Sequence, residues 1–218
     1  MNLLAVTLAL PILGFFALLI TPRTEKGPFF LAMLTTVVTF LCSLGLIRPA
    51  FGTPAQFTSE INSAWITSPG LHIRFHLGVD GINLWLVVLT TLLLPIAVWI
   101  SQGMIAQRNK QFYALLLLFE FGLIGVFTAA DLFVFYVFWE VALVPMYLMV
   151  GMWGSARRGP AAVKFFVYTM LGSVLMLASI IYLHSQTGTF DYVETLNALA
   201  SGRVVLSRVQ EISLFLGF

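Results

Sequence analysis

The chain has 218 residues, of which 60% are hydrophobic and 9% charged, with a formal net charge of +2 and a mean hydropathy of +0.98. A soluble domain carries roughly 25% charged residues, so this composition cannot clothe a globule in water-compatible surface, and the bilayer is the expected solvent. Positive residues are spread over short loops rather than gathered in a stripe, so no nucleic-acid partner is expected. The single cysteine, Cys42, excludes a disulfide or a cysteine-ligated cluster within the chain.

Six apolar runs are each near the 20 residues that cross about 30 Å of hydrocarbon as a helix. They fall at 2–20, 28–47, 82–100, 112–130, 131–151 and 162–183. The first is not read as a cleavable signal, because it lacks a positive n-region and is followed by Thr-Pro-Arg-Thr-Glu-Lys. Pro11 and Pro95 inside their spans read as ordinary kinks. Between the second and third spans, residues 48–79 read as an extramembrane loop or hairpin. Within it "HIRFH" alternates like a strand and puts His72 and His76 on one face. Their spacing would suit a metal on a helix, not on a strand, so no metal is expected there. "GVDGIN" at 78–83 has the wrong glycine spacing for a phosphate loop.

The fifth span holds the strongest functional signal. Asp131 opens it as a helix cap. Glu140, nine residues on, lies about 13–14 Å into the membrane, where a charged side chain costs about 2.5–3.5 kcal/mol. Such a carboxyl stays protonated or finds a cation and water, and in either case it is a proton-exchanging group. Pro145 removes the amide that would serve the Val141 carbonyl, and in lipid that orphan needs water or a side chain. A hydrated pocket would serve both groups, with Tyr136 and Tyr147 on the same face. A purely structural contact between helices is the plainer alternative.

Glu120 sits mid-span in 112–130. A short turn around Ala129–Asp131 would bring Glu120 and Glu140 to the same depth in an antiparallel pair; whether they face each other stays open, as does a structural role for Glu120. Lys164 opens the sixth span on a face shared with Tyr168 and Gly172. Its stem can reach inward or snorkel to the interface.

Residues 184–211, with "TGTFD", read as loop with hairpin or short helical content. A seventh run starts at Ile212 and stops after two turns, so the sequence reads as a fragment of a longer protein. Loops after the odd spans carry Arg23, Lys26, Arg108, Lys110, Arg157 and Arg158, with Lys164 beside them, against Arg48, Arg74, Arg203 and Arg208 on the other side. The positive-inside rule then places the odd loops in the cytoplasm and the N-terminus outside. The expected fold is an all-α polytopic bundle with six complete spans, the start of a seventh, and a loop or hairpin at about 48–79.

"FHLGVDGINLWLVVLTTLLLPI" (75–96), "DLFVFYVFWEVALVPMYLMVGMWG" (131–154), "AAVKFFVYTMLGS" (161–173) and "TGTFD" (187–191) together resemble the N-terminal portion of the chain 4 / subunit M family of proton-pumping NADH:quinone oxidoreductase, respiratory complex I. The resemblance implies a family fold of fourteen transmembrane helices with two inverted five-helix repeats. It divides this chain into helices 1–3 with their loop (1–111) and the start of the first antiporter-like repeat (112–218). It maps the family's required fifth-helix glutamate onto Glu140, whose lysine partner on a broken seventh helix would lie beyond Phe218. Lys164 and Glu120 become relay or tuning candidates. No cofactor is expected on this chain, since NADH, FMN, iron–sulfur clusters and quinone would bind other subunits. Expected partners are neighbouring membrane-arm subunits, lipid and protons, in a bacterial inner membrane. A cation/proton antiporter subunit and a membrane subunit of an energy-converting hydrogenase are the alternatives.

Overall fold

The computed structural model describes residues 2–22, 26–47, 57–68, 71–105 and 107–218. Arg23, the whole 48–56 loop with Arg48, and the tip of "SPG" fall outside the described residues. Eight helices and one hairpin follow in chain order among them: α1 Leu3–Ile20, α2 Gly27–Leu44, β1 Ser59–Ser68, β2 Leu71–Val79, α3 Asn83–Ser101, α4 Asn109–Thr128, α5 Leu132–Trp153, α6 Arg158–Thr187, α7 Tyr192–Ala200 and α8 Arg208–Gly217. The first six helices are long and apolar enough to cross a bilayer. Their outward faces carry side chains such as Phe16, Phe30, Leu34 and Trp99, which is what a helix surrounded by lipid tolerates.

Local chemistry sets the helix starts. Asn2 caps α1 by accepting from the Leu4 amide at 3.1 Å. Asp131 caps α5 by accepting from the amides of Phe133 and Val134 at 2.9 and 3.1 Å. At the other end of the bundle, Lys110 donates to the carbonyls of Leu19 and Thr21 at 2.9 and 2.6 Å, satisfying the frayed C-terminus of α1 with the charge its dipole favours.

Two positions depart from the sequence-based expectation. The last helix begins at Arg208, four residues before Ile212, because Ser207 and Gln210 form a reciprocal capping box: the Ser207 hydroxyl accepts from the Gln210 amide and Gln210 accepts from the Ser207 amide. This polar start extends the apolar run backwards by one turn. α8 then lies against α6, where Gln210 donates to the Tyr182 hydroxyl at 2.6 Å.

The second departure concerns register. α4 and α5 pack antiparallel through glycines: a Cβ at Gly122 would stand 2.9 Å from the Ala142 Cα, and Gly125 takes the Phe138 ring. Level pairing of 122 with 142 sets Glu120 near Val144 and Glu140 near Ile124. The two acids are therefore about 6 Å apart along the bundle, one turn, rather than at one depth. The cause lies in the connection. Residues 129–131 do not reverse in a tight turn but run extended between β2 and residues 190–192. The Ala130 amide donates to the His76 carbonyl and the Tyr192 amide to the Ala130 carbonyl, each at 2.9 Å. Backbone bridges pair Leu77 with Ala129 and Asp131 with Asp191.

The hairpin is antiparallel, pairing Glu60 with Gly78 and Asn62 with His76, with an irregularity between Ala64 and Ile66. Gly78 is required there, since a Cβ would meet the Phe57 ring at 2.5 Å. One apolar core joins the hairpin to the helices through Leu77, Val79, Ile124, Val134 and Phe138. A second, around Leu18, Val98 and Leu117, lies toward the opposite end.

Candidate functional site

Glu140 lies on the side of α5 that faces α6. The residue is half-buried, and its Oε1 is fully enclosed without a hydrogen-bond partner. One turn earlier, Tyr136 lies near both Glu140 and Ser173 of α6. Tyr147 meets the Phe166 ring of α6 at 5.0 Å between centroids. The polar stripe expected on α5 thus exists as a face, and α6 packs along it. Pro145 is buried inside the helix beside it. The sequence reading did not identify Ser173, although "TMLGS" ends on it. Its hydroxyl also donates back to the Met170 carbonyl at 3.0 Å, the ordinary use of a helical serine, so nothing local marks it as a partner of Tyr136.

Glu120 is placed differently. It is fully buried, and neither carboxyl oxygen has a hydrogen-bond partner, so no direct bond joins it to Glu140. It shares a face of α4 with Leu117, which packs on Gly14 of α1. An enclosed carboxyl with two orphan oxygens marks a place where a proton or water supplies the missing bonds.

Lys164 is exposed, and so are Tyr168 and Gly172, with nothing within 4 Å of a Cβ at Gly172. The expected shared face of α6 is real. It lies on the other side of the helix from Ser173 and Phe166, and so is turned away from Glu140.

At the hairpin end, a further cluster has no local sequence signal. His76 is buried, with Nδ1 2.5 Å from Asp191 Oδ2 and Nε2 2.8 Å from Glu60 Oε1. Asp131 lies beside it, 2% exposed, and accepts the Arg74 amide at 3.4 Å. Burial pushes its carboxyl above the usual range and Asp191 adds to this; amide bonds from Val134, Arg74 and Phe133 oppose it.

Comparison with known proteins places this geometry. A profile of the family described as NADH:quinone oxidoreductase/Mrp antiporter, TM, matches residues 129–218, the stretch from the extended connection through α8 that includes Glu140 and Lys164. NADH-quinone oxidoreductase subunit M of Rhodobacter capsulatus is 40% identical over 200 residues, covering 88% of this chain and 38% of that protein. NADH-ubiquinone oxidoreductase chain 4 of Arabidopsis thaliana is 38% identical over 183 residues, covering 83% and 37%. The chain therefore spans under two-fifths of the length of these relatives. Among solved structures, respiratory complex I from Thermus thermophilus matches 98% of this chain and 42% of its own, with a TM-score of 0.78 and 28% identity. An archaeal membrane-bound sulfane sulfur reductase matches with a TM-score of 0.80 at 18% identity, which shows the fold alone. Residues 129–218 thus match the NADH:quinone oxidoreductase/Mrp antiporter transmembrane family, and the chain as a whole is similar to subunit M / chain 4 proteins.

Proposed function

We propose that this chain is part of a proton-translocating membrane-arm subunit of an NADH:quinone oxidoreductase. Glu140 carries the exchanging proton. The observation that supports this most directly is the place of Glu140: an intramembrane acid on the face of α5 turned to α6, its Oε1 enclosed without a partner and Tyr136 and Ser173 nearby. Intramembrane acids are costly, and so mark functional sites.

In this reading the carboxyl is loaded and emptied by a basic group in the remainder of the subunit. A cation brought near favours the ionised carboxylate and releases its proton; its withdrawal lets the proton return. Quinone reduction elsewhere in the complex shifts that basic group through a line of charged and hydrated residues. The chain itself performs no redox chemistry: NADH, FMN, iron–sulfur clusters and quinone bind other subunits, so the translocase label belongs to the complex. Neighbouring antiporter-like subunits and lipid are its partners. Helices α1–α3 with the hairpin brace α4–α8, which begin the first channel repeat. The basic loops at the Lys110 end face the cytoplasm of a bacterium, and the hairpin faces outward.

The test is Glu140→Gln in the full-length subunit within the assembled complex. NADH-driven proton pumping should fall to a small fraction or vanish while the complex still assembles, and Glu140→Asp should keep part of it. Normal pumping in an assembled Glu140→Gln complex overturns the proposal.

A further inference from the structure

The His76 cluster lies at the hairpin end, outside the relay just described. Its side chain is 6% exposed, and both ring nitrogens stand against carboxylate oxygens, Nδ1 at 2.5 Å from Asp191 and Nε2 at 2.8 Å from Glu60. The Nε2 contact has ion-pair distance without hydrogen-bond alignment, and Nε2 has no other partner. A neutral imidazole has one N–H and one bare lone pair. Whichever tautomer it adopts, one of these two contacts would press a lone pair against a carboxylate oxygen at close range. Relieving it takes a second proton, on the ring or on one of the two carboxyls.

The surroundings hold both carboxyls against the ring. Asn62 donates to Glu60 Oε1 at 3.0 Å, and the Glu194 amide donates to Asp191 Oδ1 at 3.0 Å, which fixes both carboxyls in place. The groups facing the cluster are Arg74 on β2, Asp80 after it, Asp131 in the extended connection and Glu194 on α7. His184 lies further off, stacked on Phe190. With Glu60 and Asp191, five carboxyls meet one arginine at this end of the molecule. The cluster opens on a cavity of about 680 Å³ lined by Glu60, Arg74, His76 and Asp191, and Glu60 is 42% exposed, so water reaches the site.

We propose that Glu60, His76 and Asp191 form a proton-binding site at the hairpin end of the molecule, holding two exchangeable protons between one imidazole and two carboxyls. It ties β1 and β2 to the segment before α7, and exchanges with water through the adjoining cavity. The proposal goes beyond the translocation reading and stands without it.

The test uses the full-length subunit in lipid at pH 7, with nitrogen-15 histidine labelling. The His76 signals are assigned by subtracting the spectrum of His76→Gln, and infrared spectra are recorded on the same samples. The expected result takes one of two forms. Either both ring nitrogens of His76 are protonated, or one is, together with a protonated carboxyl stretch that disappears in Asp191→Asn or Glu60→Gln. A bare His76 nitrogen with no protonated carboxyl overturns the proposal. Should His76→Gln fail to fold, Glu60→Gln on the half-exposed strand assigns the same signals, since it should shift His76 Nε2 and leave His72 and His184 unmoved; no shift at any histidine overturns it equally.

Discussion

Gly122 of α4 and Ala142 of α5 touch backbone to backbone, so closely that a methyl group at 122 would lie 2.9 Å from the Ala142 Cα. This contact locks the two helices in the register that the extended connection at 129–131 permits, with its one-turn offset between Glu120 and Glu140. Gly122→Val should force the helices apart and lower stability by about 1–3 kcal/mol, the usual cost of overpacking a closed contact. Gly172→Ala, with open space around it, should be neutral within about 0.5 kcal/mol or slightly stabilising, since alanine is the better helix former. Unfolding midpoints in one detergent check this. Equal losses at both positions would mean that the register is not set at Gly122.

Tyr136→Phe should weaken proton pumping roughly tenfold, the rate equivalent of about 1.4 kcal/mol and within the worth of one ordinary polar contact. Combined with Glu140→Gln it should add nothing, because both changes cut the same link. Pumping assays on the single and double variants read this directly, and additive losses would separate Tyr136 from Glu140.

Glu120→Gln should harm pumping less than Glu140→Gln. Glu120 has no polar partner and faces α1, away from the α5–α6 stripe. Glu120→Met should keep or raise the thermal midpoint, because a well-packed apolar side chain replaces an orphan carboxyl. A larger pumping loss at 120 than at 140 would reverse the ranking of the two acids.

Asp131 carries a pH signature. Burial raises its folded-state carboxyl above the ordinary range, so between the unfolded value near about 4 and the folded value the native state binds more protons than the unfolded one. Stability contributed by Asp131 is therefore present at low pH and is lost as pH rises through that window. Asp131→Asn keeps an N-cap acceptor and removes the titration. Its stability should show less decline with rising pH than the parent chain, and parallel curves would refute the assignment.

Much of the architecture was legible because lipid imposes one loud rule: every span must be apolar and about 20 residues long. That rule exposed the six spans, and with them the odd residues out, Glu120, Glu140 and Pro145. The alternation in "HIRFH" showed a strand within a segment that read as either loop or hairpin. What escaped the sequence was relational. The offset between α4 and α5 depends on residues 129–131 being drawn out between β2 and residues 190–192, and no local pattern shows that. The exposure of Lys164 depends on which face of α6 meets α5. His76 finds Asp191 across 115 positions, a pairing that only the folded chain defines. The early start of α8 was within reach, because Ser207 and Gln210 have the spacing of a reciprocal cap, but an apolar scan passes over polar residues.

The extended connection at 129–131 also constrains how the molecule is made. Its edges are filled by β2 on one side and by residues 190–192 on the other, and the second arrives from the ribosome only after α5 and α6 have been synthesised. Until then the Leu132 amide and the Ala130 carbonyl, which bond Phe190 and Tyr192 in the folded chain, have only water as a partner. Completion of this end is thus a late, long-range step in the making of the chain.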